Sequence, residues 1–231
     1  MGGSARETTS DTDALDARGL AQKGAFNVVL GVLGRPGSGK SYFASTRARE
    51  LAERGCFVLC HDIGWRLPER DAEGRPFGIV RHETTASAVE RLARDPRGIH
   101  CISSPDAAEV IDLARRLAAA DLKRNGGTCG HPVVVVIDEV VAADVCDPNY
   151  LSDDMRKLIS GRRHENVGII WTCQSARMVH NQLISLSTEM VLFNLIAEKD
   201  LKKLEENGIP PEEVAKVRAL PKYQHVQWRF Q

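Results

Sequence analysis

The sequence predicts a single α/β domain built on a mostly parallel sheet with helices on its faces, and three stretches predict it. Gly34 to Ser41 reads GRPGSGKS, set between the apolar run Phe26 to Leu33 and a helix-forming segment from Tyr42 to Leu51. A second apolar run, Cys56 to Asp62, follows once Gly55 has ended that helix, which makes a strand–helix–strand unit. Pro132 to Ile137 is apolar at every position, the pattern of a strand buried on both faces in the middle of a parallel sheet.

Of the 231 residues, 42% are hydrophobic, enough for one sizeable core and with no sign of two. Lys plus Arg and Asp plus Glu number 31 each, so net charge points to neither nucleic acid nor a membrane surface, and any DNA contact must be local. The six cysteines form no C-x-x-C and read as reduced core thiols rather than zinc ligands or a disulfide frame. The N-terminus lacks an apolar leader and no run reaches the length of a membrane span, so a soluble, cytosolic protein is expected. Met1 to about Gly24 carries few large apolar groups and reads as a flexible arm ahead of one domain over 25–231.

GRPGSGKS satisfies the phosphate-binding pattern G-x-x-x-x-G-K-[ST] at every fixed position. Gly34, Gly37 and Gly39 allow turns in which successive N–H groups converge on phosphate oxygens, and the helix that begins here adds the positive end of its dipole. Lys40 reaches the β- and γ-phosphates as a point charge, and Ser41 offers its hydroxyl to Mg²⁺. The expected contacts to ATP therefore run through Gly34, Arg35, Pro36, Gly37, Ser38, Gly39, Lys40, Ser41 and Tyr42.

Downstream, Ile63 to Pro76 reads as a loop, Phe77 to Arg81 as a short strand and Thr84 to Arg94 as a helix. Gly98 to Ser103 is a further strand. Ser104-Pro105-Asp106 opens a long helix whose apolar residues, Ala107, Val110, Ile111, Ala114, Leu117, Ala118 and Leu122, recur at three and four. After the breaker Asn125 to Gly130, the valine strand ends in Asp138-Glu139. Ligands in open parallel sheets bind beyond the strand C-termini, so Asp138 is a candidate Mg²⁺ holder. Glu139 is the candidate acceptor of the proton from a water attacking the γ-phosphate.

Asn149 to Ile159 reads as a helix, Ser160 to Asn166 as a charged turn and Val167 to Thr172 as a strand. If that strand lies beside the phosphate-loop strand, Gln174 can contact the γ-phosphate or orient the water. Arg162 and Arg163 fall at the opposite end of the sheet from their own pocket, where in a ring they would face a neighbour's γ-phosphate. Arg177 to Ile184 reads as a short helix or loop, Met190 to Leu195 as a strand, Glu198 to Glu206 and Pro211 to Ala219 as helices and Gln224 to Phe230 as a last strand.

From Phe26 to Phe230 the chain resembles the FtsK/HerA superfamily of ring-forming P-loop ATPases, within it the small genome-packaging ATPases of membrane-containing icosahedral viruses. GRRHENVGIIWTCQSARMVH followed by TEMVLFNLIAEKDLKKLEENG carries the resemblance, beyond what GRPGSGKS and VVVVIDE would allow. It implies a RecA-like sheet in which the strands bearing the phosphate loop and Asp138 are separated by a neighbour of the Gln174 strand. It also implies a hexamer or similar homo-oligomeric ring with double-stranded DNA in its pore, capsid or portal-vertex proteins as partners, and a place in the host cytoplasm or the virion. Lys40, Ser41, Asp138, Glu139 and Gln174 carry over as catalytic and ligand residues, with Arg162 or Arg163 as the finger in trans. Cys173 departs from a pattern in which Thr directly precedes Gln, which counts against a role for Thr172. No attached DNA-orienting domain is recognisable either, so a motor alone is expected. The competing readings are a filamentous-phage-type assembly or export ATPase, a nucleotide-dependent switch or scaffold, and a small-molecule kinase. Glu139 directly after Asp138 argues against the kinase.

Overall fold

The computed structural model describes residues 28–63 and 67–230, except the side chains of 162–164. The N-terminal arm expected over 1–24 lies outside these residues. Eight strands form one sheet in the order β3-β4-β2-β5-β6-β1-β7-β8. They are β1 (Val29–Leu33), β2 (Phe57–His61), β3 (Ile79–His82), β4 (Ile99–Ile102), β5 (Val133–Ile137), β6 (Val167–Cys173), β7 (Glu189–Phe193) and β8 (His225–Arg229). All neighbours run parallel except β7 and β8, which are antiparallel. The helices are α1 (Lys40–Glu53), α2 (Thr85–Arg94), α3 (Ala107–Arg124), α4 (Asp153–Glu165), α5 (Asn181–Ser185), α6 (Glu198–Glu206) and α7 (Pro211–Ala219).

Parallel neighbours need crossovers, and the crossover helices cover both faces. On one face, Val134 and Val136 of β5 meet Ala44, Ala48 and Leu51 of α1. On the other, Val133, Val135 and Ile137 join Val110, Ile111 and Ala114 of α3 and Met155, Leu158 and Ile159 of α4. Every residue of β5 is fully buried, which explains why that strand has no polar alternation. The helix starts follow local chemistry: Thr84 accepts from the Ser87 N–H ahead of α2, and Asp106 from the Ala108 N–H ahead of α3.

Two expectations need correction. The helix expected over Asn149–Ile159 begins at Asp153 and runs on through the supposed charged turn to Glu165. Asp147 holds 147–150 in a turn by accepting from the N–H groups of Asn149 (2.7 Å) and Tyr150 (2.8 Å), while Ser152 caps the helix by accepting from the Met155 N–H (3.2 Å). At its far end Glu165 makes a two-bonded ion pair with Arg115 of α3, both bonds 2.8 Å, which pins the last turn. A run of solvated charges reads alike whether it lines a loop or a helix face, and only that partner on α3 distinguishes the two. The second correction is topological. β5 and β1 are separated by the Gln174-bearing strand β6 itself, not by one of its neighbours.

Candidate active site

The loop after β1 is built to approach an anion closely. Its N–H groups at Gly34 and Ser38 bond to the carbonyls of Cys173 (3.3 Å) and Arg35 (3.1 Å), which fixes the turn. Gly37 and Gly39 have φ of +71° and +109°, the left-handed region that a side chain resists. Gly39 caps α1 without a side-chain acceptor, so the first-turn N–H groups are left for a ligand. A Cβ on Gly34 would lie 2.5 Å from the Cβ of Phe193 and 2.8 Å from the Ser38 hydroxyl.

Lys40 is 8% exposed, donates to the Arg35 carbonyl at 3.2 Å and forms no ion pair among the described residues. Burial pushes its pKa down, while Glu139 and Asp138 pull it back up. The Ser38 hydroxyl is buried with no hydrogen-bond partner. A cation without a carboxylate, an orphaned hydroxyl and open backbone donors around one loop fit a polyphosphate.

Across β6, Asp138 ends β5. Its Oδ1 accepts from the hydroxyls of Ser41 (3.1 Å) and Thr172 (2.9 Å). Thr172, fully buried, also accepts from the Glu139 N–H at 2.9 Å, so one hydroxyl fixes both acidic positions. Burial pushes the Asp138 carboxyl up, the two hydroxyls lower it, and the charges of Asp62 and Glu139 raise it further. A buried carboxylate under that pressure, hydrogen-bonded to the Ser41 hydroxyl, is a fit for Mg²⁺, which Ser41 and Asp138 would hold.

Glu139 has φ +58°, unusual for a non-glycine residue, and its Oε1 accepts from the Gln174 N–H at 3.3 Å. Gln174 is exposed just beyond β6, whose register with β1 pairs Leu33 with Cys173. Behind it Asp200 of α6, 5% exposed, accepts from the Ser175 hydroxyl and from the Arg177 N–H (3.0 Å) and so holds the turn that carries Gln174.

The structure thus brings together Lys40, Ser41, Asp138, Glu139 and Gln174. Tyr42 follows them in sequence, but its hydroxyl accepts from the Ala72 N–H (3.1 Å) and its ring meets Phe77 edge-on at 5.9 Å. Arg162 and Arg163 lie in the last turn of α4, before the start of β6, and their side chains are outside the described residues. Two residues were missed. Thr172 was discounted because Cys173 intervenes, yet strand alternation sends Cys173 to the core and leaves Thr172 and Gln174 on one face, so the period of two was the available signal. Asp200 has no sequence signal, since an acid in the first turn of a helix is ordinary.

No protein-family model matches the chain, and no curated protein sequence matches it. Solved structures do. The genome packaging NTPase B204 from Sulfolobus turreted icosahedral virus 2, in complex with AMPPCP, superposes with a TM-score of 0.68 at 15% identity over 88% of this chain and 92% of that one. B204, the DNA-packaging ATPase from Sulfolobus turreted icosahedral virus, gives 0.64 at 17% identity, with the same coverage. The pCW3 conjugation coupling protein TcpA, with ATPγS, gives 0.52 at 18% identity over 88% of this chain and 60% of that one. At these identities the likeness is one of fold, and this chain has the α/β fold of the P-loop NTPases, shared with viral packaging NTPases of the kind its sequence resembles.

Proposed function

We propose that this protein hydrolyses ATP to translocate double-stranded DNA, and that its task is to fill a preformed viral shell with the genome. The observation that carries the reading is the Thr172 hydroxyl, which ties Asp138 and the Glu139 backbone into one unit beside the phosphate loop. Lys40 and the first-turn N–H groups of α1 bind the phosphates, and Ser41 and Asp138 hold Mg²⁺, which when bound neutralises charge on the phosphate oxygens. Glu139 takes the proton of the attacking water, and Gln174 orients that water or contacts the γ-phosphate. Arg162 or Arg163 reaches the pocket of the next subunit in a homo-oligomeric ring, a hexamer in this reading. DNA runs through the pore, and portal-vertex proteins anchor the ring at the capsid in the host cytoplasm or virion.

The fold shared with a genome-packaging NTPase supports packaging, and the weaker likeness to a conjugation coupling protein supports DNA export as the second reading. No helix among the described residues is long and apolar enough to cross a membrane. The test is ATP hydrolysis with and without linear duplex DNA, with the mass of the assembly measured in nucleotide. Hydrolysis raised by DNA in a ring-sized particle is expected, and DNA-independent turnover by a monomer would overturn the motor. Mixing Lys40→Ala subunits with Arg162→Ala/Arg163→Ala subunits should restore part of the activity, and no recovery would refute a finger in trans.

A further inference from the structure

On the side of β1 away from Asp138, the phosphate loop opens into a cavity of about 440 Å³. Its walls are aromatic. Phe43 of α1, Phe193 at the end of β7 and His225 of β8 meet one another at ring distances of 5.1 to 6.2 Å, and Tyr223 stands at the mouth. Gly39 is shared between the loop and this cavity, and a Cβ there would come 3.3 Å from Phe193 and 3.4 Å from Tyr223. The phosphate loop and the aromatic cavity therefore adjoin at Gly39.

Tyr223 has two properties that packing does not explain. Its φ is +69°, where glycine or asparagine is at home, and it is 64% exposed. A strained backbone that presents a bulky ring to solvent at the edge of a cavity is what a stacking surface for a ligand requires. The Lys222 ammonium lies 4.7 Å from the centre of that ring.

The polar groups of the cavity are few and mostly engaged. Thr46 donates to the Tyr42 carbonyl (3.0 Å), and the Tyr42 hydroxyl accepts from the Ala72 N–H (3.1 Å). Among the described residues, no carboxylate, amide or guanidinium side chain lines the space. The His225 ring has no hydrogen-bond partner among the described residues, and desolvation beside Phe43 and Phe193 lowers its pKa.

We propose that this cavity takes the purine base of the nucleotide and grips it by stacking rather than by reading its hydrogen-bonding edge, so that adenine and guanine nucleotides serve alike. Discrimination between the two needs donors and acceptors matched to the base edge, and the walls supply π faces instead. This rests on the reading of Gly34 to Tyr42 as a triphosphate site.

The experiment compares hydrolysis of ATP, GTP, CTP and UTP by the full chain. The two purine nucleotides should agree in kcat/KM within about tenfold, with the pyrimidines weaker because their rings stack less. Tyr223→Ala and His225→Ala should each raise KM about tenfold for ATP and GTP equally, with kcat held and with binding of magnesium tripolyphosphate unchanged. Tyr223→Phe should behave as the parent, while Tyr223→Gly should raise Tm and still weaken nucleotide binding, a combination that a structural role would not give. Unchanged KM in both alanine variants, or a preference for ATP over GTP of about a thousandfold, would overturn the proposal. Lys40→Ala separates the two readings: if it still binds tripolyphosphate, the phosphate site itself is misassigned. If it does not, and Tyr223→Ala binds ATP normally, only the base cavity falls.

Discussion

The phosphate loop has two unlike flanks. Towards β6 and β5 it faces hydroxyls and carboxylates locked by hydrogen bonds: Ser41 and Thr172 on Asp138, Thr172 on the Glu139 N–H, and Gln174 on Glu139. Towards β7 and β8 it faces rings, Phe43, Phe193, Tyr223 and His225. Directional bonds fix positions to within fractions of an ångström, whereas ring contacts tolerate displacement at small cost. The polar flank therefore suits the part of a ligand where bonds break, and the aromatic flank the part that must only be held. Substitutions on the first should fall on kcat, and on the second on KM.

The largest effects should come from the polar flank. Lys40→Ala and Glu139→Gln should each abolish hydrolysis as read by phosphate release, a loss of about 10³-fold or more. Glu139→Gln should still bind ATP with near-parent affinity in a fluorescent-nucleotide titration, because only the proton acceptor is gone. Normal turnover in Glu139→Gln would erase the difference between the flanks.

Next is Thr172→Val, which keeps shape but removes one of the two hydroxyls that donate to the buried Asp138 carboxylate and unpairs the Glu139 N–H. A stability loss of about 1–3 kcal/mol and a fall in kcat of about 10–100-fold are expected, from thermal melts and steady-state kinetics. A purely structural Thr172 would lower Tm with kcat intact.

Smaller again is the effect through Asp200, whose contacts with Ser175 and Arg177 hold the Gln174 turn. Asp200→Ala and Gln174→Ala should each lower kcat about tenfold, and the double variant should be little worse than either. Additive losses would mean that Asp200 does not act through Gln174.

The smallest effect sharpens the account of the loop itself. Gly37 has a left-handed backbone but open space around it, so Gly37→Ala should cost only about 1 kcal/mol of stability in denaturant titrations. Gly34→Ala, aimed at Phe193 and Ser38, should cost more than Gly37→Ala.

Much of the fold was legible. The continuous valines of β5 announced a strand buried on both faces, and α6 and α7 begin and end where their sequences predict, at Glu198–Glu206 and Pro211–Ala219. The loop was legible because phosphate binding needs glycine, lysine and serine at fixed spacing, and local spacing is what a sequence records. The span of α4 was not, because Glu165 is held by an arginine 50 positions away.

By itself, then, the sequence determined those features whose causes are local: the turn made by Gly34 to Gly39, the helix it opens, the apolar strands and the acids at the end of β5. Tertiary structure alone decided that β6 lies between β1 and β5, that Thr172 serves both Asp138 and Glu139, and that residues from α1, β7 and β8 close into one aromatic cavity. The reason is physical. Strand order and the meeting of distant side chains are set by how apolar faces cover one another, and a burial term without direction leaves no fixed spacing along the chain to read.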